Sequence, residues 1–257
     1  MARDAVKISA HGQHGRAEDL SIIAYQRALE TGADYIEFDI RRTEDGELVA
    51  FHDRHTSQGH PLAAISYQQL CDLAGYEVPK VAEIMKLIKG RAKGHLDLKD
   101  VGGEEEVVQL ALEILGPGEF IVTTLEDVSV RAIRSQPRFA DVPVALSLGR
   151  DMQDASRLAR LRTRISELRP LRRLRACGAN WVAAERRLAR AGVRRQCRRH
   201  HVGIMVWTVN SEREMRYWLT GDRADVLITD RPALAVALRA RVPYGFVQVS
   251  NGRNGTK

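Results

Sequence analysis

The chain has 257 residues, 44% of them hydrophobic and 28% charged, enough for one large core and close to the ordinary size of a (β/α)8 barrel, about 250 residues. Lys and Arg number 40 against 33 Asp and Glu, a net charge of +7, which favours anionic partners such as phosphates, membrane surfaces or nucleic acid. Cys71, Cys177 and Cys197 form no CxxC pair and no apolar run could span a bilayer, so no disulfide framework, cysteine zinc site or membrane helix is expected.

The start, MARDAVKISAHG, lacks the apolar region of a signal peptide, and a cytoplasmic protein is the expectation. Short apolar runs then alternate with amphipathic ones. Strands are expected at Val6–Ala10, Tyr35–Arg41, Leu48–His52, His95–Lys99, Phe120–Thr124, Val142–Ser147, Asn180–Ala183, Ile204–Val209 and Val226–Thr229. Helical spacing marks Leu20–Glu30, Glu104–Leu115, Val128–Ser135, Ala155–Leu174, Glu185–His200, Ser211–Leu219 and Pro232–Ala240. Ser211 with Glu214 reads as a capping box, and Pro232 suits a first helical turn. Such alternation argues for a parallel sheet with helices outside it.

Nine strands are one too many for an eight-stranded barrel. Only Arg42–Glu47 separates the second from the third, too short for a parallel crossover, so these two form an antiparallel hairpin. A turn at Thr43–Gly46 would pair Asp39 with Ala50 and Glu37 with His52. Opposed residues share a face, which would bring Glu37, Asp39 and His52 together. The expected architecture is a TIM (β/α)8 barrel over residues 1–243. It carries a hairpin extension after strand 2, a short or missing insertion, and a tail at 244–257.

Charged residues interrupt the early strands. Glu37 and Asp39 lie in YIEFDI, and Asp97 lies between Leu96 and Leu98. Converging carboxylates in a barrel mouth repel unless a cation neutralises them, and all-oxygen ligation suits magnesium or calcium. An internal ion-pair network with arginines or lysines is the other reading. His11 and His52, at strand ends, become general acid and base candidates; alternatively they are buried, hydrogen-bonded histidines. Lys99 shares Asp97's face and could meet a phosphate oxygen, or pair with Asp97 or Glu37.

The segments GADYIEFDIRRTEDGELVAFHD, VPKVAEIM, HLDLK and VWTVN…ADVLITDRP resemble the glycerophosphodiester phosphodiesterase family. The resemblance runs from about His11 to Pro232 and is loose between about Gly118 and Asn180. It implies a (β/α)8 barrel, a divalent metal (Mg2+ or Ca2+), and cleavage of a glycerophosphodiester to an alcohol and glycerol phosphate. By position, Glu37, Asp39 and Asp97 look like metal ligands, His11 and His52 like the acid–base pair, Lys99 like a phosphate contact and Trp207 like a wall of the substrate pocket. A Trp in a barrel strand can equally fill core.

The departures matter. The family's His-Arg-Gly is His11-Gly12-Gln13 here, so a phosphate-binding Arg is missing, for which His14 or Arg16 could compensate. Its Pro-Glu-Asn-Thr is Glu18-Asp19-Leu20-Ser21, leaving Asp19 as a loop carboxylate, and Asp97 stands where a Glu is usual. The sphingomyelinase D and lysophospholipase D branch shares the short insertion, the Asp and the lost Arg. It would act on lysolipids at a membrane surface and form a cyclic phosphate. The stretch Arg150–Arg199 holds most of the basic excess and would assist such membrane contact. Two other readings are an inactive barrel that binds a phosphorylated ligand and a nucleic-acid binder, although no aromatic residues interleave the basic runs.

Overall fold

A computed structural model describes residues 5–12, 21–149, 163 and 165–242. His14, Arg16, Asp19, most of 150–164 and the tail lie outside the described residues. In chain order the elements are β1 (Lys7–Ala10), α1 (Ile22–Glu30), β2 (Tyr35–Arg42), β3 (Leu48–Ala50), α2 (Tyr67–Ala74), α3 (Val81–Ile88), β4 (Lys93–Leu98), α4 (Glu104–Ile114), β5 (Phe120–Thr124) and α5 (Asp127–Arg134). They continue with β6 (Val144–Leu148), α6 (Leu171–Cys177), β7 (Trp181–Glu185), α7 (Arg186–Leu188), α8 (Arg194–Arg199), β8 (Gly203–Trp207), α9 (Glu212–Leu219), β9 (Val226–Thr229) and α10 (Pro232–Arg239).

Eight strands run parallel in the order β1-β9-β8-β7-β6-β5-β4-β2, and β1 pairs with β2 to close the ring. β3 lies outside it, antiparallel to β2. This is a TIM barrel with one extra strand, as the alternation of short apolar runs and helices implies.

Alternation along each strand separates two cores. Outward residues such as Ile8, Phe38, Leu96, Val122, Leu146, Val182, Ile204 and Leu227 pack under the helices. Inward residues of β5–β9 (Ile121, Ala145, Ala183, Met205, Val226 and Ile228) form an apolar centre flanked by Tyr35, Trp181 and Trp207. Other inward positions, on β1, β2, β4 and β5, carry Ser9, Glu37, Asp39, His95 and Thr123, all buried, and the partly exposed Asp97. Barrel interiors are ordinarily filled by bulky aliphatic side chains, so this polar quadrant is where function is to be sought.

The hairpin register differs from expectation. The turn falls at Thr43–Gly46 as foreseen, with Gly46 N–H donating to Thr43 O at 3.1 Å. Gly46 then takes a left-handed φ of +88° before pairing resumes, adding a residue to the loop. Ile40 therefore opposes Ala50 where Asp39 was expected to, and a one-residue slip reverses the face of every side chain. β3 also ends at Ala50, so strand pairing does not place His52.

The segment between β3 and α3 is short but builds its own core. Val49, Leu62, Ile65, Leu70 and Val78 are buried together there. α2 carries the reciprocal Ser66–Gln69 capping box and ends on a left-handed Gly75. At Ser211 only half of the expected box forms. Its side chain accepts from Glu214 N–H, while the Glu214 carboxylate takes Arg186 Nε at 3.1 Å.

Candidate active site

β2 and β4 run side by side in register, with Glu37 beside His95 and Asp39 beside Asp97. Glu37, Asp39 and Asp97 each offer an oxygen, all within 4.8 Å of one another. Lys99 follows directly after β4 and places its ammonium among them, 2.8 Å from Asp39 Oδ1 and 2.5 Å from Asp97 Oδ2. An ammonium has three donors, so one remains. The donor set is all carboxylate oxygen and already accommodates a positive charge, which fits a hard divalent cation. The ion pair weighed from the sequence therefore does form, to Asp97 and also to Asp39.

The surroundings set the protonation. Burial, then the neighbouring Asp39, pushes the Glu37 carboxyl well above the usual range. Burial would do the same to Asp97, but the Lys99 charge and hydrogen bonds from Lys99 and Thr123 hold it below. Burial works against a charged Lys99, and the three carboxylates overcome it and raise its pKa.

His11 follows β1 into the mouth. Its Nδ1 lies 2.6 Å from Asp230 Oδ1. Asn210 anchors Asp230 twice, its Nδ2 donating to Asp230 Oδ2 and its Oδ1 accepting from Asp230 N–H at 3.0 Å. Burial disfavours a charged His11, but the Asp230 hydrogen bond and the charges of Glu37, Asp230 and Asp39 outweigh it and raise its pKa to about 9. A carboxylate at one imidazole nitrogen fixes the ring for work at the other. Gly12 donates its N–H to Glu37 Oε2. A Cβ there would lie 2.5 Å from that oxygen and 2.9 Å from Glu37 O, so the arginine expected at this position has no room in this backbone.

His52 stands apart from the carboxylates in character. It is more than half exposed, and its Nδ1 lies 2.8 Å from Asp53 Oδ1. Arg41, two residues beyond Asp39 on the same face of β2, holds the His52 carbonyl through Nε at 3.0 Å and Asp100 through Nη1 at 2.5 Å. Arg41 thereby ties the end of the hairpin to the loop after β4. Trp207, at the mouth end of β8, caps the apolar centre with part of its ring exposed.

Sequence reasoning passed over Asp230, Asn210, Arg41, His95 and Thr123. The first two lie within the segments VWTVN and ADVLITDRP, where only Trp207 received a role. His95 carried one signal, a polar residue at the inward spacing of Asp97.

Fold and site together define a (β/α)8-barrel protein with a cation-ready carboxylate cluster and a carboxylate-oriented histidine in its mouth. The sequence model of the glycerophosphoryl diester phosphodiesterase family matches residues 11–137. A glycerophosphodiester phosphodiesterase of Bacillus altitudinis is 30% identical over 108 residues, which span 36% of this chain and 44% of that protein. A glycerophosphodiester phosphodiesterase from Parabacteroides distasonis has the same fold, with a TM-score of 0.71 at 20% identity over 93% of this chain and 99% of that one. So does an Oleispira antarctica phosphodiesterase solved with its product sn-glycerol-3-phosphate, with a TM-score of 0.64 at 14% identity over 91% and 96% of the two chains. Over residues 11–137 the chain is similar to the glycerophosphoryl diester phosphodiesterase family, and over most of its length it shares the fold of solved phosphodiesterases.

Proposed function

We propose that this protein hydrolyses glycerophosphodiesters to an alcohol and glycerol phosphate, assisted by a magnesium or calcium ion held by Glu37, Asp39 and Asp97. The observation that carries this reading is the carboxylate cluster with Lys99 in its midst, in the mouth that His11 also enters. A bound cation would offset the negative charge that builds on the non-bridging phosphate oxygens. Lys99 directs its remaining donor to one of those oxygens. One of His11 and His52 takes a proton from the attacking water as its oxygen bonds to phosphorus. The other gives a proton to the alkoxide as the phosphorus–oxygen bond breaks. Trp207 walls the pocket against the apolar half of the barrel. The Oleispira antarctica phosphodiesterase of the same fold was solved with the product sn-glycerol-3-phosphate, the product class proposed here.

The test is hydrolysis of glycerophosphocholine and of bis-para-nitrophenyl phosphate with magnesium, with calcium and with EDTA. Turnover should require the cation. His11→Ala and His52→Ala should each lower kcat by about 10²–10⁴-fold, and Asp97→Ala should remove the cation dependence along with activity. Phosphorus NMR of the product separates hydrolysis from internal attack. A cyclic phosphate from a lysolipid would move the protein to the sphingomyelinase D-like branch. No turnover on any of these substrates, with no cation bound, would leave a barrel that only binds a phosphorylated ligand.

A further inference from the structure

Beneath the carboxylates lies a chain of polar groups that the proposed reaction does not use. Ser9 on β1, His95 on β4 and Thr123 on β5 are all buried inside the barrel. Ser9 Oγ lies 2.9 Å from His95 Nδ1, His95 Nε2 lies 3.0 Å from Thr123 Oγ1, and Thr123 Oγ1 donates to Asp97 Oδ1 at 2.6 Å. Donor counting fixes the direction. The single hydroxyl proton of Thr123 is committed to the carboxylate, so its oxygen accepts from His95 Nε2–H. In the neutral ring Nδ1 then accepts from the Ser9 hydroxyl. Every proton thus points toward Asp97, an arrangement in which each bond polarises the next.

Three polar groups in the centre of a barrel are costly compared with aliphatic ones of the same size. They are fully matched to one another and end on one oxygen of one carboxylate. That leaves Asp97 Oδ2, the atom that meets Lys99 at 2.5 Å, facing the cluster. We propose that Ser9, His95 and Thr123 are positioning residues that lock Asp97, so that Oδ1 is occupied from below and Oδ2 alone is presented to the divalent cation. An aspartate has little reach, and fixing its rotamer sets the place of the cation relative to Glu37 and Asp39. Groups that orient a metal ligand typically influence affinity by about 10–100-fold. The inference rests on the cation reading above.

The experiment is calorimetric titration of magnesium and calcium into the full chain, alongside thermal melts in EDTA that report folding separately. Thr123→Val keeps the shape and removes the donor. It should weaken cation binding about 10–100-fold, and Thr123→Ser should restore binding close to the wild-type value. Thr123→Val combined with His95→Phe leaves no orphaned imidazole donor and should bind as weakly as Thr123→Val alone. Wild-type affinity in Thr123→Val would overturn the positioning role while leaving the cation reading intact. No binding by the wild type would overturn the cation reading, and this role with it. Should Thr123→Val fail to fold, Ser9→Ala reads the same chain from its far end. Weaker cation binding is expected there, and an unchanged affinity overturns the proposal.

Discussion

His95 shows how much a single side chain can commit the molecule. Burial lowers its pKa from the ordinary 6.5 to about 3, only partly opposed by Asp97. In the unfolded chain the imidazole takes up a proton near pH 6.5; in the folded barrel it stays neutral until about 3. Between those values the unfolded state binds more protons, so stability rises with pH there. The contribution is complete above 6.5 and is lost as pH falls toward 3. One proton gives a slope of about 1.4 kcal/mol per pH unit. Thermal melts of EDTA-treated protein from pH 8 to 4, for wild type and His95→Gln, read this directly. The wild type should lose stability more steeply below 6.5 than the variant. Parallel curves would mean that the barrel accepts a charged imidazole, contrary to the burial of His95 and of its partners Ser9 and Thr123.

At the scale of elements, Gly46 decides more than its size suggests. Its φ of +88° closes the β2–β3 loop, and no heavy atom lies within 4 Å of where a Cβ would sit. Gly46→Ala should therefore cost only the left-handed conformation, about 1 kcal/mol. In a chain of this length that is a fall in Tm of about 2–4 °C; a much larger fall would mean that the register itself had moved. The same glycine marks where sequence reading stops. β5 and β9 fall where periodicity puts them, and the carboxylate cluster emerges because inward spacing on β2 and β4 is a local property. The hairpin register depends on one backbone angle that no periodicity reports, and with it went the expected route for His52. α2 is absent from the helices that periodicity marks, although Ser66, Gln69 and Gly75 spell its caps, because its 8 residues make little more than two turns and show hardly any period. Asn210 clamps Asp230 across 20 positions, but Asp230 meets His11 across 219, and only the closed ring brings those two together.

For the molecule as a whole, charge is the quantity that most separates appearance from use. The basic stretch that suggested a membrane or nucleic-acid face is partly spent inside the fold. Arg173 pairs with Asp127, Arg186 with Glu214 and Arg198 with Asp225, while Arg190 stacks 4.2 Å over the Tyr217 ring. The charge that governs behaviour sits in the mouth, where Lys99 does for Asp39 and Asp97 what a bound cation would do. Lys99→Met should expose that equivalence. Removing one partner of a buried pair costs about 3–5 kcal/mol, so in EDTA the variant should melt several degrees below the wild type. The same loss of a competing ammonium should make the variant bind magnesium or calcium more tightly. A ligand at a hundred times its Kd adds about 2.7 kcal/mol of stability, and the more tightly binding protein gains more at any one concentration. The gap in Tm should therefore narrow as cation is added, with calorimetry showing the tighter Kd directly. A gap that stays constant from EDTA through saturating cation would mean that the ion does not reach the two carboxylates that Lys99 bridges, and the centre would have to be sought elsewhere in the mouth.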